Sequence, residues 1–300
     1  MLDSTPPRVP RLRALPACAL LCLGALLSIA TPCAVAADGP ALALRGALDQ
    51  KIEFHGAMNN DRTGGGAGTM MYPAPGLAGF LAAIATHAII ANGIQDAEKT
   101  RRREEADKML LPHRQALDGY KYVDLMMAAV PLITTSGKMR VVLAVTGAAP
   151  DEVLVDSVPL FYMTQDLRAI VMDNALSITM AGRATPYQTV IRVVSPARGA
   201  EVTPGFWFDD QASKLRQTSA SMFARSIDLA INDMRGVPAV AGVFKTVRYS
   251  EGGAECMERA EILGTSCEHL LLRTLRGNLM AVPRPVSDEV DPACAAVVKS

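Results

Sequence analysis

Aromatic side chains are scarce in this chain of 300 residues: they make up 5% of it, and Trp207 is the one tryptophan. Neither sign of charge is in excess, with 30 Lys and Arg against 30 Asp and Glu. Without a basic surplus to neutralise phosphates, a nucleic-acid binder is excluded. Half of the residues are hydrophobic, which excludes intrinsic disorder as well. Catalytic signatures are missing too. The chain holds no H-E-x-x-H, C-x-x-C, Gly-x-Ser-x-Gly or Ser-x-x-Lys. The glycine cluster Gly64-Gly65-Gly66-Ala67-Gly68 runs into Thr69-Met70-Met71, without the Gly-Lys-Ser/Thr that lets a P-loop lysine reach phosphate. It reads as a linker.

What is present begins at the N-terminus. Arg8, Arg11 and Arg13 precede an uncharged, leucine-rich run, and Ala34, Ala36 and Ala37 offer a small-residue cleavage site before Asp38. That order predicts a secretory signal peptide over 1–37, the alternative being an uncleaved anchor. Pro32 beside Cys33 speaks against a lipoprotein box. Removing 1–37 leaves 27 basic and 29 acidic residues and three cysteines, Cys256, Cys267 and Cys294. In an oxidising compartment one bridge is expected. Cys256 and Cys267 are the nearer pair and the expected bridge, with Cys294 as rival partner. A tight hairpin turn at Gly264-Thr265 would hold the nearer pair too far apart.

No charged side chain occurs from Thr63 to Gln95. Residues 75–94 read as a helix long enough to cross a bilayer, although His87, Asn92 and Gly93 interrupt its apolar character. Two readings follow. Either 75–94 anchors the protein in a membrane, or it is a closely packed helix used, within 70–95, for contact with a membrane surface or an envelope protein. In the first case Arg101-Arg102-Arg103 would mark the cytoplasmic side, and a structural disulfide would be disfavoured. Residues 96–108 then carry ten charges of both signs, a solvated helix face. A second helix is expected over 113–130, between Pro112 and Pro131, and the two form a helical hairpin.

After Gly137 the texture becomes β-branched. Strands are expected over 139–145, 152–163, 167–180, 187–194, 243–249, 255–263 and 268–282, with an earlier one at 51–57. The strongest helix covers 209–235, with an apolar stripe through Leu215, Met222, Phe223, Ile227 and Ile231, and Asp209 or Asp210 as its cap. The expected fold is therefore α+β: a mostly antiparallel sheet with a long amphipathic helix packed on it, preceded by an N-terminal helical hairpin. The expected divisions are 1–37 signal peptide, 38–68 extended segment and Gly-rich linker, 69–135 helical segment, 136–285 α+β domain and 286–300 flexible tail.

Chemistry-bearing clusters are few. Cys256, Cys267 and His269, with Glu255 and Glu268, are the densest metal-ligand grouping, yet their spacing matches no zinc signature. The triplet Phe206-Trp207-Phe208 reads as core or as a staple on the long helix ahead of a binding role. No catalytic, cofactor-binding or metal residue is assigned, and no cofactor is expected. The sequence points to an exported, periplasmic or cell-envelope protein without catalytic activity that contacts a membrane or a protein partner. The rival is a periplasmic hydrolase whose site assembles from separated residues, marked by two acids, or a His beside a Ser, converging in a pocket.

Overall fold

A computed structural model describes residues 41–46, 50–58, 93–135, 139–143, 152–180, 182–236 and 243–285. All of them belong to one compact unit, Asp38–Ser300. The expected signal peptide, the glycine linker, nearly all of 75–94, Cys294 and the tail lie outside the described residues.

The strands are β1 (Leu42–Gly46), β2 (Glu53–Gly56), β3 (Met139–Leu143), β4 (Val153–Met163), β5 (Ile170–Thr179), β6 (Tyr187–Val194), β7 (Lys245–Glu251), β8 (Ala254–Thr265), β9 (His269–Thr274) and β10 (Leu279–Pro283). The helices are α1 (Gly93–Asp107), α2 (Arg114–Asp118), α3 (Tyr122–Ala129) and α4 (Pro204–Met234). All ten strands form one sheet, ordered β3-β1-β4-β5-β6-β10-β9-β8-β7, with β2 also on β4.

That sheet is mixed, which corrects the mostly antiparallel expectation. β1 runs parallel to both β3 and β4, β2 parallel to β4, and β6 parallel to β10. For β6 and β10 the cause is connectivity. After β6 the chain crosses the sheet as α4 and re-enters at the far edge, as β7. Three antiparallel reversals then bring β10 beside β6 in the same direction. The run expected as a single strand over 268–282 is two, because Gly277 takes φ +82 and turns the chain between β9 and β10.

The expected helical hairpin is also absent among the described residues. After α1, Pro112 sits in a 3-10 turn, Lys108–His113, and the expected 113–130 helix is split into α2 and α3. The split falls where the chain pairs with the segment leading into β2: Ile52 N–H donates to Tyr120 O, and Tyr122 N–H donates to Gln50 O. Backbone pairing with a strand segment competes with helix at Tyr120 and Lys121, and here it wins. Among the described residues, no helix is long and apolar enough to cross a membrane.

α4 lies across β5 and β6 and buries Leu215, Phe223, Ile227, Ala230 and Ile231 against Met172, Leu176, Ile191 and Val193. It is two helical pieces. Asp209 is extended, and Asp210, Gln211 and Ala212 follow in the left-handed region with φ of 51, 55 and 59. The expected cap pair therefore occupies a reversal inside the element. Each such residue costs roughly 1–2 kcal/mol, so packing on both sides must hold the break. Trp207 and Ala212, both buried, supply it.

The opposite face of β5–β10 is closed by curling, with β7 reaching back to β10. Val171, Val194, Tyr249, Cys256, Leu272 and Val282 fill the inside of the curl. Arg192 spans to Asp173 through two hydrogen bonds of 2.8 Å, and Tyr249 O–H donates to Glu251. The expected Cys256–Cys267 bridge does not form. Cys256 keeps its thiol, while Cys267 is disulfide-bonded to another partner. Cys256 sits near the start of β8 and Cys267 beyond its end. At ~3.3 Å per residue the strand holds them tens of ångströms apart, against the ~7 Å that a disulfide tolerates.

Candidate functional site

The end of β6 approaches the start of β9 beneath α4, and the three elements enclose a cleft of about 180 Å³. From α4 come Gln217, Thr218, Ser221, Met222 and Arg225; Val193, Ser195 and Pro196 come from the end of β6. Glu268 and His269 complete the wall from β9. Its lining mixes apolar surface with a few polar and charged side chains, of which Gln217, Ser221 and Glu268 are exposed and Arg225 is half-buried. The α4 residues arrive together because Gln217, Ser221 and Arg225 are four residues apart and share one helix face.

His269 is buried, with 5% of its surface exposed. Its Nε2 lies 3.0 Å from Val194 O. A carbonyl only accepts, so Nε2 carries the proton and Nδ1 is bare in the neutral ring. That Nδ1 is buried with no hydrogen-bond partner among the described residues. Burial, then the Arg225 charge, hold the imidazole below its ordinary value near 6.5, against the opposing pull of Val194 O and Glu268. Ser195 is committed elsewhere: its Oγ accepts the Ile170 N–H at 2.9 Å.

The sign of the linkage gives a prediction. The unfolded histidine takes up its proton first, so its contribution to stability is complete above about pH 6.5 and declines as pH falls toward the folded value. Urea midpoints of the wild type are expected to drop between about pH 7.5 and about pH 5.5, and His269→Gln should remove part of that drop. An unchanged pH slope in the variant would contradict a buried neutral His269.

Arg225 and Glu268 carry opposite charges on the same cleft, yet neither makes an ion pair or side-chain hydrogen bond among the described residues. Several charges elsewhere are matched. Arg45 is bidentate on Asp156, Arg192 on Asp173 and Arg140 on Glu152, while Arg273 bridges to Asp233. Arg225 has no such partner among the described residues, and neither have the exposed Arg183, Arg259 and Arg276 or Arg216, which lies over the Tyr120 ring; what sets Arg225 apart is its place beside the buried His269.

The other chemistry-bearing residues are dispersed. The sequence grouping of Cys256, Cys267, His269, Glu255 and Glu268 is not brought together. Cys256 faces the inside of the curl opposite Tyr249, Glu255 pairs with Arg248 on an exposed face, and His269 faces α4. Among the described residues no cluster of metal-ligating side chains occurs. His55 donates from Nδ1 to Asp107 at 3.0 Å, the orientation of a general base. No hydroxyl or thiol hydrogen-bonds to its other nitrogen among the described residues. The pair instead fastens β2 to α1, for Asp107 also accepts the Gly56 N–H at 2.7 Å. Burial opposes ionisation of Asp107, but those hydrogen bonds and the His55 and Arg114 charges outweigh it and lower its pKa.

Of the aromatic triplet, Trp207 is fully buried, Phe206 meets it edge-on, and Phe208 stacks on His113 at 3.8 Å. Sequence reasoning missed the cleft residues Ser195, Gln217, Thr218, Ser221 and Arg225. The available signal was the polar stripe Gln217, Ser221, Arg225 on a helix whose other side is apolar. No protein-family model, curated protein or solved structure matches the chain.

Proposed function

We propose that this chain is an exported, non-catalytic recognition protein of the cell envelope, whose folded unit captures a small polar solute in the α4–β6–β9 cleft. The observation that carries the reading is Arg225, a half-buried cation without an ion-pair partner among the described residues, on a cleft that also presents hydroxyls and a buried histidine acceptor. Arg225 is half-buried and His269 buried, a desolvation cost that a bound polar solute would offset. The leader pattern over 1–37 supports export, and contact with a membrane or an envelope partner through 70–95 belongs to the same proposal.

A second reading has one observation in its favour. His269 lines the same cleft as Ser221, so a hydrolase remains its rival. The imidazole, however, is held by the Val194 carbonyl rather than by a carboxylate, and no serine hydrogen-bonds to it among the described residues. A carbonyl partner does little to stabilise the imidazolium that acyl transfer needs. The test is a thermal-shift screen of small polar metabolites run beside chromogenic ester and amide substrates. Recognition predicts stabilisation by at least one metabolite, lost in Arg225→Gln, with no turnover. Acyl-substrate turnover that disappears in Ser221→Ala would establish the hydrolase instead.

A further inference from the structure

The two charges on the cleft wall have opposite signs and come from opposite sides. Arg225 projects from α4, and Glu268 stands at the start of β9. Were they partners, the cleft would hold a wall-to-wall ion pair, but neither reaches the other within 4.0 Å. A solute complementary to both would carry an anionic group for the half-buried Arg225 and a cationic one for the exposed Glu268. Space limits it further. At about 180 Å³ the cleft lies below the ~300–1,000 Å³ of sites for drug-sized ligands, so its occupant is small. Thr218, Ser221 and Gln217 add neutral donors and acceptors along the α4 wall.

We propose that this cleft binds a free α-amino acid with a small side chain, its carboxylate paired with Arg225 and its ammonium with Glu268. The inference rests on the recognition reading above and specifies its ligand. A guanidinium matches a carboxylate with two parallel hydrogen bonds, and a carboxylate accepts from an ammonium. The arrangement is electrically balanced only while His269 is neutral. The charged groups acting on that ring are Arg225 from α4 and Glu268 beside it, while β6 contributes only Val194 O and Ser195; the Arg284 guanidinium, beyond β10, turns to Ser266 O. Protonating His269 adds a second positive charge beside Arg225. It therefore disfavours the zwitterion and favours a simple anion.

The test is isothermal titration of the folded chain with glycine, L-alanine and L-serine, beside lactate, which lacks the ammonium, and alaninamide, which lacks the carboxylate. At least one of the three amino acids should bind about tenfold more tightly than both controls, and Arg225→Gln and Glu268→Gln should each weaken it about tenfold or more. Circular dichroism of each variant checks that the fold is intact. Lowering the pH through the His269 titration should weaken amino-acid binding and strengthen lactate binding. Lactate binding as tightly as L-alanine, with dependence on Arg225, would overturn the amino-acid assignment and leave the recognition reading standing. No binding by any of the five probes would also overturn it. Ester or amide turnover lost in Ser221→Ala would overturn both.

Discussion

Replacing Trp207 with alanine is expected to lower the unfolding free energy by about 3–5 kcal/mol, the largest effect of any single side chain in the fold. Trp207 is fully buried, and its indole N–H donates to Leu167 O. Leu167 belongs to the turn between β4 and β5 and takes a left-handed φ of 59, costly for a leucine. The same turn binds its surroundings through further hydrogen bonds. Asp166 accepts the Gly253 N–H from the β7–β8 turn, Arg168 Nε donates to Arg198 O, and Gln165 donates to Ala57 O. Trp207 is therefore the strut between α4 and the point where several loops meet. Because it is the one tryptophan, the urea titration must follow helix circular dichroism. Trp207→Phe keeps most of the packing and loses only the hydrogen bond, so it should cost about 1–2 kcal/mol. Equal losses for the two variants would show that the strut is not packing.

Gly56→Ala should be nearly as damaging for a different reason. A β-carbon there would fall inside the contact distance of the Ala106 carbonyl in α1, an obstacle made of backbone. A side chain can rotate aside; a helix must move bodily, breaking the Gly56 N–H to Asp107 bond with it. Overpacking of this kind costs about 3 kcal/mol, at the upper end of the usual range. Gly119→Ala is the matched control. Its nearest neighbour to an added β-carbon is 3.6 Å away and its φ is −79, so the change should be neutral or stabilise by up to about 1 kcal/mol. Thermal unfolding of the two variants side by side checks the contrast, and equal stability would contradict the close approach of β2 and α1.

Legibility in the sequence followed the range of the interaction. The run over 187–194 matches β6 to the residue because alternation and turn residues act locally. The parallel pairing of β6 with β10 is illegible in the sequence, since it depends on where α4 delivers β7, a choice no strand records in its own pattern. β1 escaped notice because Ala-Leu-Arg-Gly offers little β-branched signal. The reversal at Asp210–Ala212 leaves no signal in the sequence, where Asp209 and Asp210 suit a helix cap and no glycine announces a left-handed turn. The disulfide expectation failed against strand length, a conflict already visible in the spacing of Cys256 and Cys267. The cleft joins residues around 195, 217–225 and 269, and only its α4 stripe had a local pattern. Its meaning depended on β6 and β9 lying beneath that stripe.

The most direct test is a titration of isotope-labelled protein with L-serine, followed by two-dimensional nitrogen–proton resonance spectra. The account predicts saturable shifts concentrated at Ser195, Gln217 to Arg225 and Glu268 to His269, and absent in Arg225→Gln. Shifts confined to other parts of the sheet, or no shifts at saturating L-serine, glycine and L-alanine, would contradict it.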